Sequence, residues 1–148
     1  MPGGGRLIYP DVKWHLRKMD MTKGLFLREP LGEENGIPIF SHLDDYILNY
    51  EMISKDHTDH LDALGTNPFL DSAEYVDKLE QQTRDFIVAH AGTTAKSVLD
   101  VGVGLGSLIS RLGVPEKFGL DVSMQYLPRA QAKGIKVVMS KVEDMPFA

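Results

Sequence analysis

The sequence predicts an α/β fold in which helices precede a partial parallel sheet of strand order 3-2-1. Three observations predict it. Hydrophobic spacing is helical over residues 41–92 and gives way to short apolar runs beyond residue 93. Those runs alternate with helical stretches in a β-α-β-α-β order, which implies parallel strands joined by right-handed crossovers. A glycine-rich turn at residues 102–106 separates the first run from its helix.

The elements follow in order. Residues 1–40 read as an irregular segment, punctuated by Gly3-Gly4-Gly5, Pro10, Pro30, Gly32, Gly36 and Pro38, with a short helix over 12–20. Residues 41–92 read as a helical extension or cap. Ser41 followed by Asp44 resembles a capping box, and Leu43, Tyr46, Ile47, Tyr50 and Ile53 continue at helical spacing. Residues 65–68 break the pattern. Asp71 and Glu74 repeat the capping signal, Tyr75, Val76, Leu79, Phe86 and Ile87 form the next stripe, and Gly92 ends it.

Residues 93–148 form the sheet portion. Strands are expected at 97–101, 117–121 and 136–139, with helices over 105–112 and from the cap Ser123 to about residue 133, where Gly134 stops the second. Pro128 lies inside that helix and deletes one backbone donor, at small cost because it is close to the first turn. In the order 3-2-1 the first strand keeps one side without a partner. That apolar edge invites self-association.

Composition limits the function. The chain has 148 residues, 43% apolar and 25% charged, as in ordinary soluble proteins. A net charge of −5 argues against a phosphate-neutralising surface, so no nucleic-acid partner is expected. Without cysteine there is no disulfide, thiol catalysis or cysteine-ligated zinc. Charges are spread through residues 1–30, which leaves no apolar leader, and no stretch is long enough to span a membrane. The expected compartment is the cytoplasm, with no membrane partner.

The turn carries the chemistry. After a strand, the chain must bend sharply into a helix while its backbone approaches a ligand. Gly102, Gly104 and Gly106 permit positive φ and present no side chain. The following helix would add free N–H groups. Asp100 lies two positions before the first glycine, and the spacing is G-x-G-x-G rather than the dinucleotide G-x-G-x-x-G. Asp121 lies at the end of the second strand, 19 residues beyond Gly102, where a carboxylate can accept both ribose hydroxyl hydrogens. That last feature suits a nicotinamide dinucleotide as well.

Residues 97–107 resemble the first motif of the class I S-adenosylmethionine-dependent methyltransferases, and Gly119-Leu120-Asp121-Val122-Ser123 resembles their second. Residues 124–134 and 140–147 are similar to the ubiquinone-biosynthesis-like (methyltransferase type 11) branch. The resemblance covers the last third of the chain. It implies a Rossmann-like class I methyltransferase fold, of which 93–148 would be the N-terminal half, the family continuing with further strands. It also implies S-adenosyl-L-methionine as cofactor, S-adenosyl-L-homocysteine as product and a small-molecule methyl acceptor. Gly102, Gly104 and Gly106 would line the methionine part, with Asp100 organising the turn and the cofactor's amino group. Asp121 would clasp the ribose beside Val122, and Val142 and Glu143 would lie near the adenine. Lys141 departs from the pattern, because many relatives carry an aspartate there and lysine cannot accept a hydrogen bond.

Other groups carry weaker signals. His57 and His60, three apart, could share a helix face with His42 or Asp59 as metal ligands, but a polar helix end explains them and no metal site is expected. Trp14, Tyr46 and Tyr50 could line a substrate pocket or simply pack. No residue identifies itself as catalytic, and His42, His57 and His60 are only candidates for a general base. The turn lacks the Gly-Lys-Ser/Thr ending of a P-loop. The competing readings are an NAD-type oxidoreductase domain and a non-catalytic cofactor-binding remnant.

Overall fold

A computed structural model of the chain describes residues 25–64, 73–91 and 94–148. The short helix expected over 12–20, Trp14, the cap at Asp71 and the stop at Gly92 lie outside these residues. The elements are β1 (Gly32–Glu34), β2 (Ile37–Ile39), α1 (Asp45–Leu64), α2 (Ala73–Ala91), β3 (Ser97–Val101), α3 (Ser107–Ser110), β4 (Glu116–Asp121), α4 (Leu127–Gln131) and β5 (Lys136–Met139), then a 3-10 turn, Val142–Asp144.

The sheet order is β1-β2-β5-β4-β3. Its β5-β4-β3 part is the expected 3-2-1 order, with both joins parallel, and makes the fold α/β and Rossmann-like. The sheet is larger than the three strands expected. Residues 32–39, read from sequence as part of an irregular segment, form a hairpin whose second strand runs parallel to β5. The missed signal is Asn35-Gly36. Both have positive φ, 54° and 77°, as a two-residue hairpin turn requires. Ile37 and Ile39 then bury completely or nearly so, which is what joins the hairpin to the sheet.

Apolar side chains leave the sheet on both faces. On one, Ile39, Val137 and Met139 pack with Ile47 of α1, Ile109 of α3 and Leu127 and Ala130 of α4. On the other, Phe40, Leu120 and Val138 are covered by Phe26 and Phe147, which form an antiparallel bridge.

Two expectations about α1 need correction, and α4 is shorter than expected, with Tyr126 and not Ser123 at its N-cap. The cap of α1 is Asp44, not Ser41: the Ile47 N–H donates to Asp44 Oδ1 at 3.0 Å. Ser41 is buried instead, donating to Asp144 Oδ2 at 2.7 Å and accepting the Lys141 N–H at 2.8 Å. The stripe of α1 also turns a different way. Leu43, Tyr46, Tyr50 and Ile53 are exposed, whereas Ile47, Ser54 and Thr58 are buried. The reason is polar: the Ser54 and Ser123 hydroxyls are bonded at 2.5 Å, and Glu51 accepts the Met124 N–H. Helix α1 therefore docks through Ile47 on the sheet and through hydroxyls and a carboxylate on the turn after β4.

In α4, Pro128 falls in the first turn, where its missing N–H would have had no helical partner. Gly134 ends the segment at φ 81°.

Candidate functional site

The turn after β3 takes its shape from β4. Gly102 N–H and Val103 N–H both donate to Leu120 O, at 2.7 and 3.0 Å. Val103 is buried over Gly119, where a Cβ would lie 2.8 Å from the valine methyls. Gly119 is thus a second glycine requirement, made by the turn on the strand beneath it.

Asp121 closes the arrangement. Its Oδ2 accepts the Gly104 N–H at 2.8 Å and its Oδ1 accepts the Ser123 N–H at 3.0 Å. One carboxylate therefore ties the glycine turn to the turn after β4. Each oxygen has a further lone pair for a ligand hydroxyl. Helix α3 is only four residues long, shorter than the expected 105–112, so the donors near the ligand approach are those of the turn.

The three glycines all have positive φ, 83°, 50° and 71°, but they do different jobs. A Cβ on Gly102 or Gly104 would meet nothing within 4 Å, leaving their backbone open to a ligand. A Cβ on Gly106 would lie 2.4 Å from Ile135 Cδ1 and 3.0 Å from Ala130 Cβ. The third glycine lets the turn pack on α4 and the segment after it.

At the C-terminal ends of β3, β4 and β5 lies a cleft of about 490 Å³, within the range of ~300–1,000 Å³ usual for small-molecule sites. It gathers Gly102, Asp121, Val122, Val142 and Glu143 of the sequence-expected set. Gly104 reaches it through its bond to Asp121. Asp100, on β3, is half-buried and does not line the cleft. Burial raises its carboxyl above the ordinary aspartate value, and the Asp121 charge adds to the effect.

The opposite wall comes from α1. Tyr46 and Tyr50 line the cleft, with ring centroids 4.9 Å apart, and so does Asp44. Lys141 is engaged by carboxylates on both sides: its Nζ is 3.0 Å from Asp44 Oδ2 and 3.4 Å from Glu143 Oε1. The Ile47 N–H, then the Lys141 ammonium, hold the Asp44 carboxyl below its usual value. The ion pair of Asp44 had no local signal, since its partner is 97 residues away.

The histidine-rich stretch of α1 does other work. His57 Nδ1 is bonded to the Tyr126 hydroxyl at 2.8 Å, Thr58 donates to Lys55 O at 3.0 Å, and Lys55 pairs with Asp59. Among the described residues, no three His, Asp or Glu groups come together as a metal site. No helix among them is long and apolar enough to cross a membrane.

No family model matches the chain. A stretch of 49 residues is 39% identical to an uncharacterized protein of Methanocaldococcus jannaschii, covering 33% of this chain and 23% of that protein. Among solved structures, the plantazolicin methyltransferase BamL, in complex with a triazolic desmethylPZN analog and SAH, is similar at 22% identity and a TM-score of 0.41. That likeness covers 66% of this chain and 36% of BamL. The chain thus spans well under half the length of either protein.

Proposed function

We propose that residues 97–148, with the start of α1, form the S-adenosylmethionine site of a methyltransferase that acts on a small molecule. The observation that carries this reading is the bond from Gly104 N–H to Asp121 Oδ2. It fixes a carboxylate with spare acceptor capacity beside an open glycine backbone, at the end of two parallel strands. Ligands of α/β sheets bind at that end.

The residues fit the cofactor. Gly102 and Gly104 admit close approach, Asp121 offers acceptors for two ribose hydroxyls, and Val122 and Val142 supply apolar surface. Glu143 and Asp44 supply the carboxylate acceptors that Lys141 lacks at the adenine end. When bound, the cofactor would supply an electrophilic methyl group carried on a sulfonium. The chain's own part is to bind, orient and exclude water. The methyl acceptor is proposed to be a small molecule and the compartment the cytoplasm.

Isothermal titration with S-adenosylhomocysteine and with NAD tests the reading. S-adenosylhomocysteine is expected to bind and NAD not. Asp121→Ala is expected to lower affinity about tenfold or more, since hydrogen bonds to a charged group are worth about 1.5–3 kcal/mol. Unchanged affinity in a folded variant would remove the ribose assignment.

A further inference from the structure

The charged groups around the cleft are unevenly matched. Among the described residues, Asp44, Asp121 and Glu143 line it against a single ammonium, Lys141, which already lies within 4 Å of two of the three. The aromatic wall adds to this. Tyr46 and Tyr50 sit one helical turn apart on α1, 53% and 42% exposed although both line the cleft. Aromatic rings left in the open beside a surplus of carboxylates are a surface for a cation: the ring faces are negative, and their attraction for a positive group adds to that of the carboxylates.

Resting on the methyltransferase reading, we propose that this cleft is charge-selective. It holds the sulfonium form of the cofactor more tightly than the neutral thioether left after methyl transfer: Asp121 at the ribose and Asp44 and Glu143 at the adenine end act on the sulfonium at range, through their summed field, and the Tyr46–Tyr50 pair forms the cation-binding wall. The two forms differ by one methyl group and one positive charge. A cleft of this composition favours the charged one, so loss of the charge itself promotes product release. The same field disfavours anionic methyl acceptors such as carboxylates and phosphates, and favours neutral or cationic ones. The low-lying Asp44 carboxyl keeps that group ionised through neutral pH.

Titration calorimetry on the 148-residue chain tests this with three probes: S-adenosylmethionine, S-adenosylhomocysteine and sinefungin, which carries an ammonium in place of the methylsulfonium. At low salt the two cationic probes are expected to bind about threefold or more tighter than S-adenosylhomocysteine, the scale of partly screened charges. That ratio should shrink towards one in about 0.5 M salt, where charges are screened within a few ångströms, and also in Glu143→Gln. Tyr46→Leu should weaken the cationic probes and spare S-adenosylhomocysteine. Equal or tighter binding of S-adenosylhomocysteine by the unaltered chain overturns charge selectivity while leaving the cofactor assignment intact. So does a ratio that neither salt nor Glu143→Gln moves. A Tyr46→Leu loss shared by all three probes removes the aromatic wall from the proposal. Binding of none of the three overturns the methyltransferase reading as well.

Discussion

The three glycines of the turn separate at the residue scale. At Gly104 an alanine meets open space, so Gly104→Ala carries only the cost of a left-handed backbone, about 1–2 kcal/mol. At Gly106 the same strain is joined by a methyl driven onto Ile135 and Ala130, and Gly106→Ala is expected to cost about 2–4 kcal/mol. Urea unfolding of both variants checks the order. Asp100 is a different case. Its folded-state pKa is raised, so the folded chain binds that proton more tightly than the unfolded chain does, and stability from this group is lost as pH rises through its titration. Asp100→Asn is therefore expected to raise the melting temperature between the ordinary aspartate value of about 4 and neutrality, the difference closing at lower pH. Thermal melts at a series of pH values check it. If Asp100 also orders the cofactor's amino group, the same variant gains stability and loses affinity.

Among elements, α1 decides how the site is walled, and it does so through polar contacts. Ser54 donates to Tyr50 O at 2.8 Å and meets Ser123, which in turn accepts the Gln125 N–H at 3.1 Å. Ser54→Ala leaves the buried Ser123 hydroxyl short of a partner and is expected to cost about 1–3 kcal/mol, measurable by chemical denaturation. This chain of hydroxyls also marks the limit of sequence reading. Strands β3 and β5 were legible to the residue, because their apolar runs are bounded by turn signals, and the glycine turn and Asp121 were legible because their spacing is chemically constrained. Helix α1 was legible as a helix but only partly in its orientation: hydrophobic spacing points to Leu43, Tyr46, Ile47, Tyr50 and Ile53, of which Ile47 alone is buried, and a hydroxyl-to-hydroxyl contact 69 residues apart in sequence completes the buried face. The hairpin β1–β2 carried its own signal in Asn35-Gly36, outweighed by the glycines and prolines around it. The pairing of Asp44 with Lys141 had none, since an ion pair between distant segments leaves no periodic trace.

For the whole molecule, the sheet is asymmetric. Its β1 end is a short hairpin strand carrying Glu33 and Glu34, whereas β3 pairs only with β4 among the described residues and leaves Leu99 and Val101 37% and 48% exposed. Edges of that kind seek partners unless charged or covered. Self-association that grows with concentration is expected in light scattering coupled to size exclusion, and Leu99→Lys is expected to shift the chain towards monomer. Leu99 does not line the cleft, so cofactor affinity should persist in the monomeric variant.

The Phe26–Phe147 bridge has a mechanical meaning. Ala148 N–H donates to Leu25 O, and Leu27 N–H to Pro146 O, so Leu25 and Ala148 are held side by side. A pull applied between those two residues would not load the β3-β4-β5 ladder in shear. It would peel the antiparallel contacts one after another, starting with the outermost bond, and the covering of one sheet face by Phe26 and Phe147 would be the first thing to give way under tension.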